Sequence, residues 1–352
     1  MLDEPTLQRI LDAQPGLSIA VVGDLFLDKY LDLDQRLTEI SVETGLEAYQ
    51  IVRVRCYPGA GGTVLNNLQA LGVGRLLAVS VIGDDGEGYE LLRALRERNI
   101  DTAGVIAAAD RMTPTYTKPM LSPMSGPARE LNRLDIKNRR PHSPEVDRQV
   151  MDALDRIVPQ VDAVIVADQV TERNHGTITD AVRDHLAELA RRHPQCRMLA
   201  DSRSHIAHFR NLIAKPNRNE LFAAVVSTPV GDQVADRAQV AAAARRLAER
   251  TGRPVFATLG SEGIMYVDAQ IAEHVPGIEV SGPIDIVGAG DSTMAGIAAA
   301  LCAGGTPQQA ARVGCLVASI TIQQLGVTGT ATPNQVLSRW REASGTRTDT
   351  GN

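Results

Sequence analysis

Toward the end of the chain, Asp285-Ile286-Val287-Gly288-Ala289-Gly290-Asp291 sets two carboxylates and two glycines just before an apolar helical pattern. Glycines at a loop-to-helix junction let backbone N–H groups approach a ligand, and the free N–H groups of a first helical turn favour an anion. An aspartate on that turn repels an anion unless it has chemistry to do, such as accepting a proton from a nucleophile. An N-cap is the alternative, because Asp at a helix start satisfies backbone donors by itself. A second cluster, Gly59, Gly61 and Gly62 in "YPGAGGTVLNNLQALG", opens a helix through Leu65, Leu68 and Leu71. It matches neither G-x-x-x-x-G-K-[ST] nor G-x-G-x-x-G, so the usual phosphate-loop and dinucleotide readings fail.

The elements that must carry these loops alternate. Short β-branched runs such as "LSIAVVGD", "GRLLAVSVIG", "DAVIVAD" and "RMLADS" are separated by helical patterns such as "GYELLRALRERN" and "DAVRDHLAELARRH". That alternation specifies β-α-β units around a mainly parallel sheet with helices on both faces. Ligands gather at the carboxyl ends of such strands, which would bring Asp24, Gly83, Asp168 and Asp201 to one edge. Each alone is a common turn residue. Two segments, 31–57 and 113–135, break the alternation; the period-two pattern of "AYQIVRVRC" predicts antiparallel strands in a small separate sheet, a lid. An exposed lid edge invites pairing with a second copy, so a homodimer through the lid is expected. The polar tail 343–352 lacks periodicity and is expected to be disordered.

Bulk properties bound the function. The 352 residues are 43% hydrophobic and 22% charged with a net charge of -6, which suits a globular protein and gives no global attraction for nucleic acid or an anionic membrane. Four dispersed cysteines, Cys56, Cys196, Cys302 and Cys315, form no C-x-x-C pair and suit a reducing compartment. The first residues include acidic side chains and no apolar secretory core, and the longest apolar run, Ala295 to Gly305, is too short for a span, so a cytoplasmic location is expected.

Five pieces occur in a recognisable order: "GDLFLD", "PGAGG" with its following "LG", "KPNRNE", "TLGSEG" and "GAGD". Together they resemble the ribokinase-like (PfkB) carbohydrate kinases from about Ser18 to about Pro333. Within that family, "VVGDLFLDKY", "TKPML…LNRLD" and "QQLGVTGTATP" look most like the heptose 7-phosphate kinases of ADP-heptose biosynthesis, which act on the anomeric hydroxyl. The resemblance implies a single three-layer α/β/α kinase domain over 1–352 with a β-sheet lid, ATP and Mg²⁺ as cofactors and a monovalent cation as a further candidate. It makes Asp291 the general base, with the backbone of Gly288, Ala289 and Gly290 receiving the transferred phosphoryl. Asn217 and Glu220 would organise the Mg²⁺, partly through water. Asn217, Thr258, Gly260 and Gly263 would shape the nucleotide side, and Asp28, Gly61, Gly62 and Asn66 the sugar side. Lys118 and Arg133 would grip a substrate phosphate.

Three features depart from the family: Thr63 stands where Asn is usual, Val287 where Thr is usual, and the glycine pair of the first cluster reads Gly59-Ala60. Thr63 and Val287 each remove a polar contact, which opens the alternatives of a kinase for another sugar or a catalytically impaired ligand-binding relative. A nicotinamide-dependent oxidoreductase is disfavoured because "GDLFLDKY" lacks the glycines of a dinucleotide turn. His205 and His208, three apart, lack a companion ligand cluster and read as surface histidines; "NRR" at 138–140 reads as a solvated loop.

Overall fold

The computed structural model describes residues 2–225 and 236–345. β1 (Ser18–Gly23) passes through Asp24 alone into β2 (Leu25–Asp34); a short hairpin of β3 (Glu39–Ile40) and β4 (Glu47–Ala48) then leads to β5 (Ile51–Ala60). β6 (Arg75–Gly83) and β7 (Ile100–Ala108) follow, then β8 (Thr115–Ser122), β9 (Arg129–Glu130) and β10 (Leu134–Ile136). The second half supplies β11 (Ala163–Asp168), β12 (Arg197–Ser202), β13 (Ile213–Ala214), β14 (Val255–Thr258), β15 (Gly263–Val267) and β16 (Ala272–Pro276).

Nine of these strands form one sheet in the order β16-β15-β14-β13-β12-β11-β1-β6-β7. It is parallel from β7 through β14, and β15 and β16 complete it antiparallel. Its central strands, such as β1 and β11, are apolar along nearly their whole length because both faces are covered. In β1, Ile19 and Val21 point to one core and Ala20 and Val22 to the other. The first core lies under the helices Gly61–Ala70, Ala289–Cys302 and Pro307–Thr321, the second under Pro144–Ile157, Asp180–Arg192 and Arg237–Thr251. This is the three-layer arrangement expected. The helices Ala289–Cys302 and Pro307–Thr321 approach closely at two glycines: a Cβ on Gly296 would lie 3.0 Å from Gly314 Cα, and one on Gly314 would lie 2.9 Å from Ile297 Cγ1. That contact fixes the helix that begins beside Asp291.

The second sheet has the order β10-β8-β2-β5, with β9 on β8. It spans more than the two expected segments, from Leu25 to Ala60 and from Thr115 to Ile136. It is also not purely antiparallel, because β2 and β8 pair in parallel with Tyr30 opposite Lys118. The reason is topological. β1 and β7 leave the main sheet at the same carboxyl edge, so the strands that follow them run in the same direction. Asp24 pins the junction between the sheets: its buried carboxylate accepts the N–H groups of Gln169 (2.7 Å), Val170 (2.9 Å) and Thr177 (2.7 Å).

The expected tail is corrected at its start. Ala343, Ser344 and Gly345 complete the helix Pro333–Gly345, which docks through buried Val336 and through Trp340, whose Nε1 donates to Leu2 O at 3.3 Å. Residues 346–352 lie outside the described residues. No helix among the described residues is long and apolar enough to cross a membrane.

Candidate active site

Gly288 precedes the helix Ala289–Cys302 with φ 78°, and a Cβ there would lie 2.8 Å from Thr328 Cγ2, so conformation and space both demand glycine. Of the expected backbone cradle, Ala289 is already committed, its N–H donating to Ile286 O at 3.1 Å. The N–H groups of Gly288 and Gly290 have no partner among the described residues. Val287 is exposed and its N–H donates to Asp285 Oδ1 at 3.0 Å, so its side chain lies outside the loop's inner wall. Asp291 sits on the first turn, where burial, and then the carboxylate of Asp201, push its carboxyl up to about 7 against the opposing pull of Lys215 and Arg203.

The centre of the cluster is Lys215, which is buried. Its Nζ lies 2.9 Å from Asp201 Oδ2 and 3.6 Å from where a Cβ of Gly290 would be. Burial weighs most heavily against its charge, but Asp201, Glu220 and Asp291 together outweigh it and raise its pKa. Asn217 and Glu220 close a capping box at the start of the helix Arg218–Val225: Asn217 N donates to Glu220 Oε2 at 2.7 Å and Glu220 N to Asn217 Oδ1 at 2.9 Å. Glu220 is half-buried there, and burial, then the carboxylate of Asp201, raise its pKa. Thr258 bridges to Asn217 and donates its N–H to Pro216 O at 2.9 Å, which joins the nucleotide-side residues to this edge. Gly260 turns at φ 63° and is exposed. Gly263 is a packing glycine, since a Cβ would lie 2.1 Å from Val275 O.

On the other side of the cleft, Asp28 Oδ1 lies 3.0 Å from Lys118 Nζ, which also donates to Tyr30 OH at 3.2 Å. The glycine beneath Asp28 is Gly59, where a Cβ would lie 2.5 Å from Asp28 Oδ2. Gly61 and Gly62 are instead buried packing residues against Asp24 O and Pro58 Cβ. Asn66, on the helix Gly61–Ala70, donates its Nδ2 to Pro58 O of β5 at 3.2 Å. Arg133 stacks over Tyr116 and pairs with Asp135 at 2.6 Å, so Lys118 and Arg133, the two cations expected to grip a substrate phosphate, each hold a carboxylate. A cavity of about 70 Å³ beneath the small sheet is lined instead by Asp24, Phe26, Arg111, Tyr116, Gln169 and Arg203. Arg111 donates to main-chain carbonyls and Arg203 Nε to Gln169 Oε1 at 2.9 Å.

Thr63 is buried, with its Cγ2 3.3 Å from where a Cβ of Gly288 would be, so the two glycine loops meet. Residues 18–334 match the pfkB family of carbohydrate kinases. The chain belongs to that family. Among relatives, the bifunctional protein HldE of Trichlorobacter lovleyi is 29% identical over 343 residues, 96% of this chain and 65% of the relative. HldE of Caulobacter sp. strain K31 is 30% identical over 327 residues, 92% of this chain and 63% of its own. The chain thus spans just under two thirds of the length of these curated relatives. Phosphofructokinase-2 of Escherichia coli in its tetrameric inhibited form superposes with a TM-score of 0.70 at 18% identity, covering 93% and 99% of the two chains. Arabidopsis thaliana ribokinase complexed with ribose and ATP superposes at 0.65 and 17%, covering 92% and 98%. The fold is therefore ribokinase-like and the protein is a carbohydrate kinase.

In this PfkB kinase, sequence reasoning missed the importance of Lys215 and Arg203. Lys215 lies in the quoted "KPNRNE", but only a structure shows its ammonium buried. His205 is half-buried, with Nδ1 3.4 Å from Asp168 Oδ2, rather than solvated; His208 is exposed. No cluster of three or more His, Cys, Asp or Glu residues able to hold a metal occurs among the described residues. Arg139 and Arg140 are exposed, as expected of a loop.

Ala60 is the strained position of the site, at φ 54° and ψ -120°, a region that glycine tolerates and alanine does not. Ala60→Gly is expected to stabilise the fold by about 1 kcal/mol, relief of strain outweighing added chain entropy. Urea unfolding measures it, and a lower midpoint for Ala60→Gly would refute the strain.

Proposed function

We propose that the chain transfers the γ-phosphoryl of ATP to a sugar hydroxyl, with Asp291 taking the hydroxyl proton as the oxygen attacks phosphorus and ADP leaves. The observation that carries this is a half-buried carboxyl with its pKa pushed up to about 7, on a helical turn beside unpaired N–H groups and the Lys215 ammonium. A base is most effective when its pKa lies near the working pH. Lys215 and the N–H groups of Gly288 and Gly290 would stabilise the charge spread over the transferring phosphoryl. Asp201, Glu220 and Asn217 offer the oxygen donors that suit Mg²⁺, an ion that keeps several waters and takes only one or two carboxylates beside substrate phosphates. Bound there, Mg²⁺ would neutralise phosphate charge. In this reading, kcat/KM falls as pH drops below about 7, because Asp291 must be deprotonated to accept a proton. Asp291→Asn is expected to lose turnover at every pH while keeping ATP affinity within a few-fold. Turnover above about a tenth of the parent's would remove Asp291 from the base role.

The substrate we assign is a heptose 7-phosphate, phosphorylated at its anomeric hydroxyl. This rests on the resemblance of "VVGDLFLDKY", "TKPML…LNRLD" and "QQLGVTGTATP" to the kinases of ADP-heptose biosynthesis. Asp28, held by Lys118, would meet sugar hydroxyls. The distal phosphate would meet Arg203, which lines the cavity and has no ion pair among the described residues, rather than the paired Lys118 and Arg133. Heptose 7-phosphate is expected to exceed free heptose in kcat/KM by about tenfold or more, and Arg203→Ala to erase most of that preference through KM. If free sugars win, the heptose-phosphate reading falls and the kinase reading stands.

A homodimer through the small sheet belongs to the same proposal. The hairpin β3–β4 and strand β5 expose Ile40, Val42, Leu46, Val52 and Val54, and β5 is the sheet's open edge. Light scattering should give twice the chain mass, with Val52→Lys shifting it toward one copy. A monomeric parent at micromolar concentration would refute this.

A further inference from the structure

At the opposite, amino-terminal edge of the main sheet, a cavity of about 210 Å³ opens between the starts of β12, β13 and β14. Its floor is apolar and buried, built from Met198, Phe256, Tyr266 and Leu301, with the Phe256 and Tyr266 rings 4.9 Å apart. Its rim holds Arg197 and Arg253, both exposed. Neither guanidinium has an ion-pair or hydrogen-bond partner among the described residues, and no Asp or Glu lines the cavity. Asp162, the carboxylate adjoining Arg197 across the sheet edge, is engaged by Ser18 N at 2.8 Å. Elsewhere in this chain arginines reach a carboxylate one helical turn away, as Arg93, Arg183 and Arg191 do. Two unpaired forks over an apolar floor match a dianion joined to an apolar or ring-shaped body: a phosphomonoester carries about -1.5 to -2 charges and accepts bidentate pairs.

We propose that this cavity is a second binding site, for a phosphorylated small metabolite acting as an effector of the kinase. The three strands that start at the cavity end at the active edge: β12 runs from Arg197 to Asp201, β13 leads from Ile213 to Lys215, and β14 leads to Thr258. The separation is about 13 Å of strand, so an occupant cannot be the sugar or the nucleotide in transfer. It can shift the strand ends that carry the Lys215 pair. The effector role rests on the kinase activity proposed above and is independent of which sugar is phosphorylated.

The test is calorimetric titration of the full chain with phenyl phosphate, the nucleotide side of the cleft being saturated with a non-hydrolysable ATP analogue and Mg²⁺ and the sugar-phosphate subsite proposed above being removed by Arg203→Ala in every protein titrated. One equivalent should bind. Arg197→Ala with Arg253→Ala should weaken binding by about tenfold or more, and the Lys pair at both positions should bind with intermediate strength. Circular dichroism checks that the variants are folded. Equal binding by the parent and the double-Ala variant, or no binding by the parent up to about 1 mM, overturns the site. Phenylacetate binding as tightly as phenyl phosphate overturns the phosphate class. In steady-state assays phenyl phosphate should change the kinetics of the parent and leave the double-Ala variant unaffected; binding with no kinetic change overturns the effector role.

Discussion

A lysine ammonium withdrawn from water governs the candidate site at the carboxyl edge of the main sheet. Lys215 would lose its charge on burial were it not for Asp201 at 2.9 Å and the fields of Glu220 and Asp291. The dependence is mutual. Without the ammonium, three carboxylates would face one another in a partly dry cleft, and their repulsion would drive one or more to take up a proton. The cation therefore decides how far Asp291 can be raised while still remaining able to ionise near neutrality.

Its placement follows from the sheet. Lys215 directly follows β13, a strand only two residues long, and its N–H is held by Ala200 O at 2.9 Å. Asp201 stands one residue further along the neighbouring strand, so a parallel register of adjacent strands sets the ammonium and carboxylate side by side. Asp291 reaches the same point from the opposite layer, on a helix whose angle is set where Gly296 and Gly314 let two backbones approach. A parallel sheet and one glycine contact thus assemble a charge cluster from three distant parts of the chain.

The alternation of β-branched runs and helical patterns was enough to specify the layered body, because strands buried on both faces announce themselves by uninterrupted apolar residues. Asp291 and its flanking glycines were legible for a related reason: a loop-to-helix junction leaves a local spacing. The parallel pairing of β2 with β8 left no such trace, since period-two alternation is the same for either direction and direction is set by which edge a strand leaves. The ion pair of Lys118 with Asp28 was likewise invisible, because it depends on cross-strand register and a run of residues does not state that; Arg133 pairs instead with Asp135, two residues on. Asn217 and Glu220 show the limit differently. Their spacing reads equally as a capping box and as a metal-organising pair, and the fold uses the cap while leaving the glutamate inside the cluster's field.

The parallel pair at the centre of the small sheet also orders events in folding. Parallel strands need a long crossover, and between β2 and β8 that crossover includes the helices Gly61–Ala70 and Gly86–Arg96 with β6 and β7, all of them parts of the main body. Tyr30 meets Lys118 only after the 87 intervening residues have been drawn together. The entropy of closing so long a connection is recovered only once the body has condensed. The small sheet is thus a late-forming structure without autonomy: excised from the chain it has no template, and during synthesis its β2–β5 hairpin waits, half-paired, for a partner strand that emerges much later.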